Sequence, residues 1–308
     1  MAKSSSIKEL TSLMQNTGIH SKTKRKSEME ALLQQQYKHI THLSSLENQS
    51  KTVIVTGVVK ESVITIYGEI HDDINNVFYE KLDLKGHTVF VEHSTVFCKL
   101  EPHEHAMFAN AKGSEWIWFT CTRKKQQVTC VDTRLENGFL SGYEEIAIQT
   151  MKVKDLLECV SRVIKAATAI KEKYSRIQRT FDDIISAMKR QFLMMLLLDK
   201  SKESHIKVND KLIDKNIVVD ATRNFLISNT IKISSLSVDM HIIDLVSSQH
   251  NSGAPISIFV GINHALRLSE FLELYIVTEN TDKDYDYNIF YEGDEKSEKE
   301  IITQLKKS

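Results

Sequence analysis

Two apolar, β-branched runs far apart in the chain end in the same way. Residues 63 to 74 read VITIYGEIHDDI, and residues 256 to 266 read ISIFVGINHAL. In each, a stretch with the composition of a buried strand breaks into Gly-x-x-His and then into a helical pattern. A glycine followed by polar groups and an imidazole is a poor way to finish a packed strand and a good way to present chemistry. Open α/β sheets gather reactive groups in the crevice beyond the carboxyl ends of their parallel strands. Both Gly-x-x-His elements belong there if the two runs lie in one such sheet.

The segments between them support that architecture. KTVIVTGVVK and SVITIYGE are two β-branched runs only a few residues apart, as in a hairpin. DDINNVFYEKLDL reads as a helix with Asp72 or Asp73 at its start, HTVFVEHS as a buried strand, EPHEHAMFANAKGSEWIWFTCTRK as a helix, and QQVTCVDTR as a strand. Strand and helix alternate, which predicts βαβ units and a parallel sheet. From Tyr143 to Ser201 the pattern turns to uninterrupted helix. Another helix is predicted over DKLIDKNIVVDATRNFLISNTIK, before the segment VDMHIIDLVSSQ. Only 2 prolines and 10 glycines interrupt 308 residues, so long helices are expected. The sheet resumes at PISIFVG, followed by the helix HALRLSEFLELY and a strand at YNIFYE.

The predicted fold class is therefore α/β, with a mainly parallel central sheet flanked by helices and a long helical insertion. Residues 1–50 form an N-terminal arm and a packing helix. Residues 51–292 form a single α/β domain with the insertion at about 143–235, and 293–308 form a charged tail, either a solvent-facing helix or disordered. The methionine and leucine cluster from Met194 to Leu198 reads as core.

Forty basic against 41 acidic side chains leave no global field that would mark a nucleic-acid or membrane partner. The basic SKTKRK at 21–26 reads as a solvated stretch, with a nuclear import signal or a phosphate contact as the alternative. The N-terminus lacks a continuous apolar core segment, and no uncharged apolar run reaches about 18 residues. Cys98, Cys121, Cys130 and Cys159 include no C-x-x-C pair, which argues against a thiolate zinc site and a dense disulfide framework. A soluble, cytoplasmic protein in a reducing compartment is the resulting expectation.

The strand ends supply the candidate site. Glu69 and His71 follow the first strand run, Glu92 and His93 follow VFV, Asp132 and Arg134 follow VTCV, and His264 follows the late strand. A charge that ends a buried strand must be solvated or partnered, and convergence on one pocket satisfies all of these. His71 and His264, with Glu69 and Glu92, offer two imidazoles and two carboxylates, a donor set suited to Zn, Mn or Co with a position open to water, His71, Glu92 and His264 being the expected ligands. A histidine oriented by glutamate acts equally well as a general base without metal. The plain structural alternatives are that the histidines cap the following helices and that Glu92 binds the N-terminus of a neighbouring helix. His93, next to Glu92, should face the other side of the sheet. In the HEH triplet at 103 to 105, the two histidines lie two apart and do not share a helical face. Neither Cys98 nor Cys130 has a local context that lowers a thiol pKa. Walker, G-x-G-x-x-G and H-E-x-x-H motifs are absent.

These residues resemble the superfamily that contains TraB-like proteins, the Tiki Wnt-cleaving metalloproteases, erythromycin esterases and the ChaN haem-binding lipoproteins. Gly68-Glu69-Ile70-His71 looks like its first G-x-x-H motif and Gly261-Ile262-Asn263-His264 like its second. Glu92 matches the glutamate after a core strand, and Arg223 with Asn224 is similar to a helix arginine of the TraB and Tiki members. The resemblance spans roughly residues 60 to 275. It implies a hydrolase acting on an ester, amide or phosphate-type bond of a small-molecule or peptide substrate. Metal is implied in the Tiki-like branch and a catalytic histidine in the esterase branch, with Arg223 meeting an anionic group and Glu69 orienting water or relaying its proton. The ChaN branch implies the alternative, a non-catalytic module that binds haem or metal. A protein-interaction scaffold is a third reading.

Overall fold

A computed structural model describes residues 52–59, 62–69, 79–95, 113–172, 178–208, 211–249, 253–279 and 295–306. His71, the HEH triplet and the predicted strand at YNIFYE lie outside them. The chain divides into two compact units, one of Met1–Asp132 with His241–Tyr287 and one of Thr133–Met240 with Asn288–Ser308.

The first unit is built on a six-stranded sheet. Its strands are β1 (Thr52–Val59), β2 (Ser62–Glu69), β3 (Thr88–Ser94), β4 (Val128–Asp132), β7 (Ile256–Gly261) and β8 (Tyr275–Glu279), in the spatial order β4-β3-β7-β2-β1-β8. β1 and β2 form the expected hairpin, paired antiparallel from Thr52↔Glu69 to Val59↔Ser62. β2, β7, β3 and β4 run parallel to one another, and β8 closes the far edge antiparallel to β1. β7 thus sits between β2 and β3, and the ends of all three carry the polar residues singled out from the sequence. The fold is α/β.

The all-buried β2 and β7 are covered on both faces, as the continuous VITIY and ISIFV runs require. Helix α1 (Gly113–Arg123) packs Ile117, Trp118 and Cys121 onto one face with Tyr67, Val91 and Phe259. Tyr67 and Phe259 stack with ring centroids 4.7 Å apart. Helix α6 (Ile262–Phe271) lies on the other face. Its approach explains the first motif's glycine, because a Cβ on Gly68 would come within 2.6 Å of the Ala265 Cβ and 3.2 Å of the Ile262 Cα. Gly68 serves close helix packing rather than a positive-φ turn.

The second unit is mainly helical, with α2 (Gly142–Ala147), a 3₁₀ turn (Ile148–Thr150), α3 (Val153–Lys171), α4 (Gln178–Lys200), and most of α5 (Lys215–Ser248). The helix expected to run unbroken from Tyr143 is interrupted at Met151 and Lys152, both extended. Ser141 caps α2 in a reciprocal capping box with Glu144. A short hairpin of β5 (His205–Val208) and β6 (Lys211–Asp214) replaces the expected start of a helix at Asp210. α5 continues without a break to Ser248 and is buried on several sides. Along it Thr222, Thr230 and Ser234 donate to carbonyls four residues back. The charged C-terminal stretch forms α7 (Glu295–Leu305), which is not simply solvent-facing. Ile301, Ile302 and Leu305 are buried against Met194, Leu198 and Ile206. Arg190 and Gln191 donate to Glu298 at 2.7 and 2.8 Å.

Among the described cysteines, Cys121 and Cys159 are free and buried, and burial pushes the Cys121 thiol up to about 11. Cys130 is disulfide-bonded. No described helix is long and apolar enough to cross a membrane.

Gly68→Ala should lower the free energy of unfolding by about 1–3 kcal/mol through overpacking against α6, and Ala265→Gly in the same chain should restore part of it. Urea unfolding of the single and double variants checks this. An unchanged midpoint for Gly68→Ala would contradict the close packing.

Candidate functional site

The parallel strands β2, β7 and β3 end side by side, with Glu69 in register with Gly261 and Val91 with Phe259. Side chains alternate along a strand, so Gly68, Val260 and Glu92 share the α6 face, while Glu69 and His93 share the α1 face. The contacts agree with this assignment. The two carboxylates therefore build two separate polar clusters on opposite faces of one sheet edge.

On the α1 face, Glu69 is buried and both its oxygens are bound. The Ser114 backbone N–H donates to Oε1 at 3.0 Å and the Tyr79 hydroxyl to Oε2 at 2.8 Å. The carboxylate lies at the N-terminus of α1, where helix dipole and free N–H groups favour an anion. Gly113 makes room for it at φ +56, since a Cβ there would fall within 2.3 Å of the carboxylate. Beside it His93 packs against Trp118, ring centroids 4.8 Å apart. Burial lowers His93 to about 4, the Asp132 carboxylate pulling in the opposite direction. His93 is a neutral, structural imidazole, on the face the strand alternation predicts.

On the α6 face, Glu92 and His264 meet. Glu92 Oε1 lies 3.3 Å from His264 Nε2, and both side chains are more than nine-tenths buried. Glu92 Oε2 accepts the Gly261 N–H at 2.6 Å, at the residue that caps α6. Arg267, one helical turn beyond His264 and also buried, places Nη2 3.1 Å from His264 Nδ1. A guanidinium has donors only, so Nδ1 must accept, and the ring proton resides on Nε2, the nitrogen next to Glu92. At 3.3 Å that contact is longer than an ideal hydrogen bond; it orients the ring chiefly through charge. The Ser114 hydroxyl, donating to the Glu92 carbonyl at 3.3 Å, links the two clusters through the backbone.

The remaining candidates are placed otherwise. Arg223, in the second unit, donates to the carbonyls of Gln149 and Met151, where the 3₁₀ turn ends. That contact supplies the partners for the break at Met151. Arg134 pairs with Glu145 at 2.9 Å. Sequence reading missed Arg267 and Tyr79. Arg267 carries a signal in hindsight, since a residue three after His264 lies on the same helical face.

The donors suit a metal poorly as they stand. Both ring nitrogens of His264 and both oxygens of Glu92 are engaged by protein groups, and among the described residues no group of three or more His, Cys, Asp or Glu could hold an ion. Comparison with family models, with curated proteins and with solved structures finds no match to this chain.

Because His93 is held neutral well below its ordinary 6.5, the fold is favoured above that pH and loses stability as pH falls from 6.5 towards 4. Over that window the loss attributable to His93 should be about 3 kcal/mol. His93→Phe should flatten this part of the stability profile in denaturant titrations at stepped pH. An equally steep profile in the variant would assign the loss to other groups.

Proposed function

We propose that the chain is a hydrolase whose working group is His264, oriented by Glu92 and covered by Arg267. The observation that carries this reading is the buried Glu92–His264 contact at the ends of parallel strands, with Arg267 on the remaining ring nitrogen. A purely structural helix cap would need the Glu92–Gly261 bond alone. It does not call for an imidazole and a guanidinium buried beside it, each costly to desolvate.

In this reading Nδ1 is the basic atom. A substrate with a carbonyl or anionic group draws the Arg267 guanidinium onto itself and releases the Nδ1 lone pair. Nδ1 then takes a proton from water as the water oxygen bonds to the acyl carbon or phosphorus. Arg267 meets the negative charge that develops on the substrate oxygen. Glu92, across the ring, offsets the imidazolium charge, and the leaving group departs with the proton held at Nδ1. Arg267 takes the part that the sequence suggested for Arg223, and Glu69 supports α1 from the opposite face.

The reading agrees with the esterase branch of the superfamily that the paired Gly-x-x-His motifs resemble. The metal-dependent form, with Zn, Mn or Co on His71, Glu92 and His264, requires both described donors to give up their present partners.

Purified full-length protein, assayed on a panel of ester, amide and phosphoester substrates with and without chelator, tests the proposal. A turnover that survives chelation and falls about a hundred- to ten-thousandfold in His264→Ala, with the variant still folded, is the expected result. Glu92→Gln should also impair it, since the amide can still accept from Gly261 but loses the charge beside Nε2. Undiminished turnover in folded His264→Ala, or saturable binding of haem or metal with no turnover on any substrate, would overturn it.

A further inference from the structure

Away from the strand ends, the second unit carries an open groove of about 720 Å³ along the α3–α4 hairpin. Leu157 and Ala166 of α3 and Phe192 and Leu196 of α4 supply its apolar part, and the turn at Asn137 and Gly138 adjoins one end. A Cβ on Gly138 would sit 3.8 Å from the Ala166 Cβ and 3.9 Å from the Arg162 Cγ, which places the turn beside Arg162 and Ala166 of α3. The polar lining from α3 is unequal in sign, with Lys154, Arg162 and Lys165 against Glu158.

The charges are also unequally placed. Lys154 and Glu158 are one turn apart near the N-terminal end, where they offset each other. Lys165 lies about 16 Å along the axis from Lys154 and about 10 Å from Glu158, on the turn next to Arg162. Arg162 is held by Glu144 at 2.5 Å, whereas Lys165 has no ion-pair partner among the described residues. The groove thus joins an apolar channel to a cationic end that also offers the Asn137 side chain. Its size lies within the range of about 300–1,000 Å³ usual for small-molecule sites.

We propose that this groove binds a small anionic amphiphile. The apolar tail lies along Leu157, Phe192 and Leu196, and a carboxylate or phosphate head meets the Lys165 ammonium. The proposal rests on the α3–α4 surface alone and is independent of the hydrolase reading.

Calorimetric titration of the full chain with dodecanoate and with dodecyl phosphate, both below their micellar concentrations, tests it. Dodecyltrimethylammonium and acetate serve as controls for charge and for the tail. Saturable one-to-one binding of an anionic probe, with neither control binding, is expected, and the tighter of the two heads identifies the preferred group. Lys165→Glu should weaken binding about tenfold, and Ser161→Trp, which fills the groove from a half-buried lining position, should abolish it. Thermal unfolding verifies that both variants are folded. Absence of saturable binding for both anionic probes, equal binding of the cationic amphiphile, or wild-type affinity in the two folded variants would overturn the proposal.

Discussion

The Glu92 carboxylate is the contact on which the sheet edge depends. One oxygen takes the Gly261 N–H at 2.6 Å and the other faces the His264 imidazole. A single anion thereby ties the end of β3 to the turn where β7 becomes α6. An uncompensated carboxylate at this depth would be costly, and removing one partner of a buried pair typically costs about 3–5 kcal/mol. The helix N-terminus compensates part of that charge. The structural alternative read from the sequence, a glutamate at a helix start, accounts for one of its oxygens, while the other faces His264.

Strand alternation then decides what can work with what. Glu69 and Glu92 end strands on either side of β7, yet they face opposite helices. Glu69 closes the α1 terminus with Tyr79 and Ser114, while Glu92 belongs with His264 and Arg267. The sequence places all the ionisable residues at one level of the sheet but does not give their faces until the register is known. One pocket with two glutamates was the simpler expectation; two clusters back to back are what the pleat dictates.

The elements that could be read from the sequence are those whose local signals agree with their tertiary role. β2 and β7 are buried along their whole length because both faces are covered, which is why the VITIY and IFV runs are mostly apolar, and the β1–β2 hairpin follows from two β-branched runs with a short connection. Elements that depend on unmarked backbone or on distant partners were not legible. The helix predicted over HALRLSEFLELY stops at Phe271 because Glu273 adopts φ +54 and Leu274 N–H returns to the Ser269 carbonyl, a helix stop made without glycine. Tyr275 then begins β8. The break at Met151 has its partner in Arg223 on a distant helix, and α7 shows its buried face only against α4 and β5. Arg267 escaped notice because the motif that draws attention to His264 ends at the histidine.

His264 carries its proton on Nε2 beside Glu92 while its Nδ1 accepts from Arg267. Nitrogen-15 NMR of the histidine side chains, with His264 assigned through His264→Asn, reads that pattern directly at neutral pH. The account predicts a non-protonated Nδ1 that changes its signal in Arg267→Gln while the chain stays folded. A His264 ring protonated on Nδ1, or one indifferent to the loss of Arg267, would contradict it.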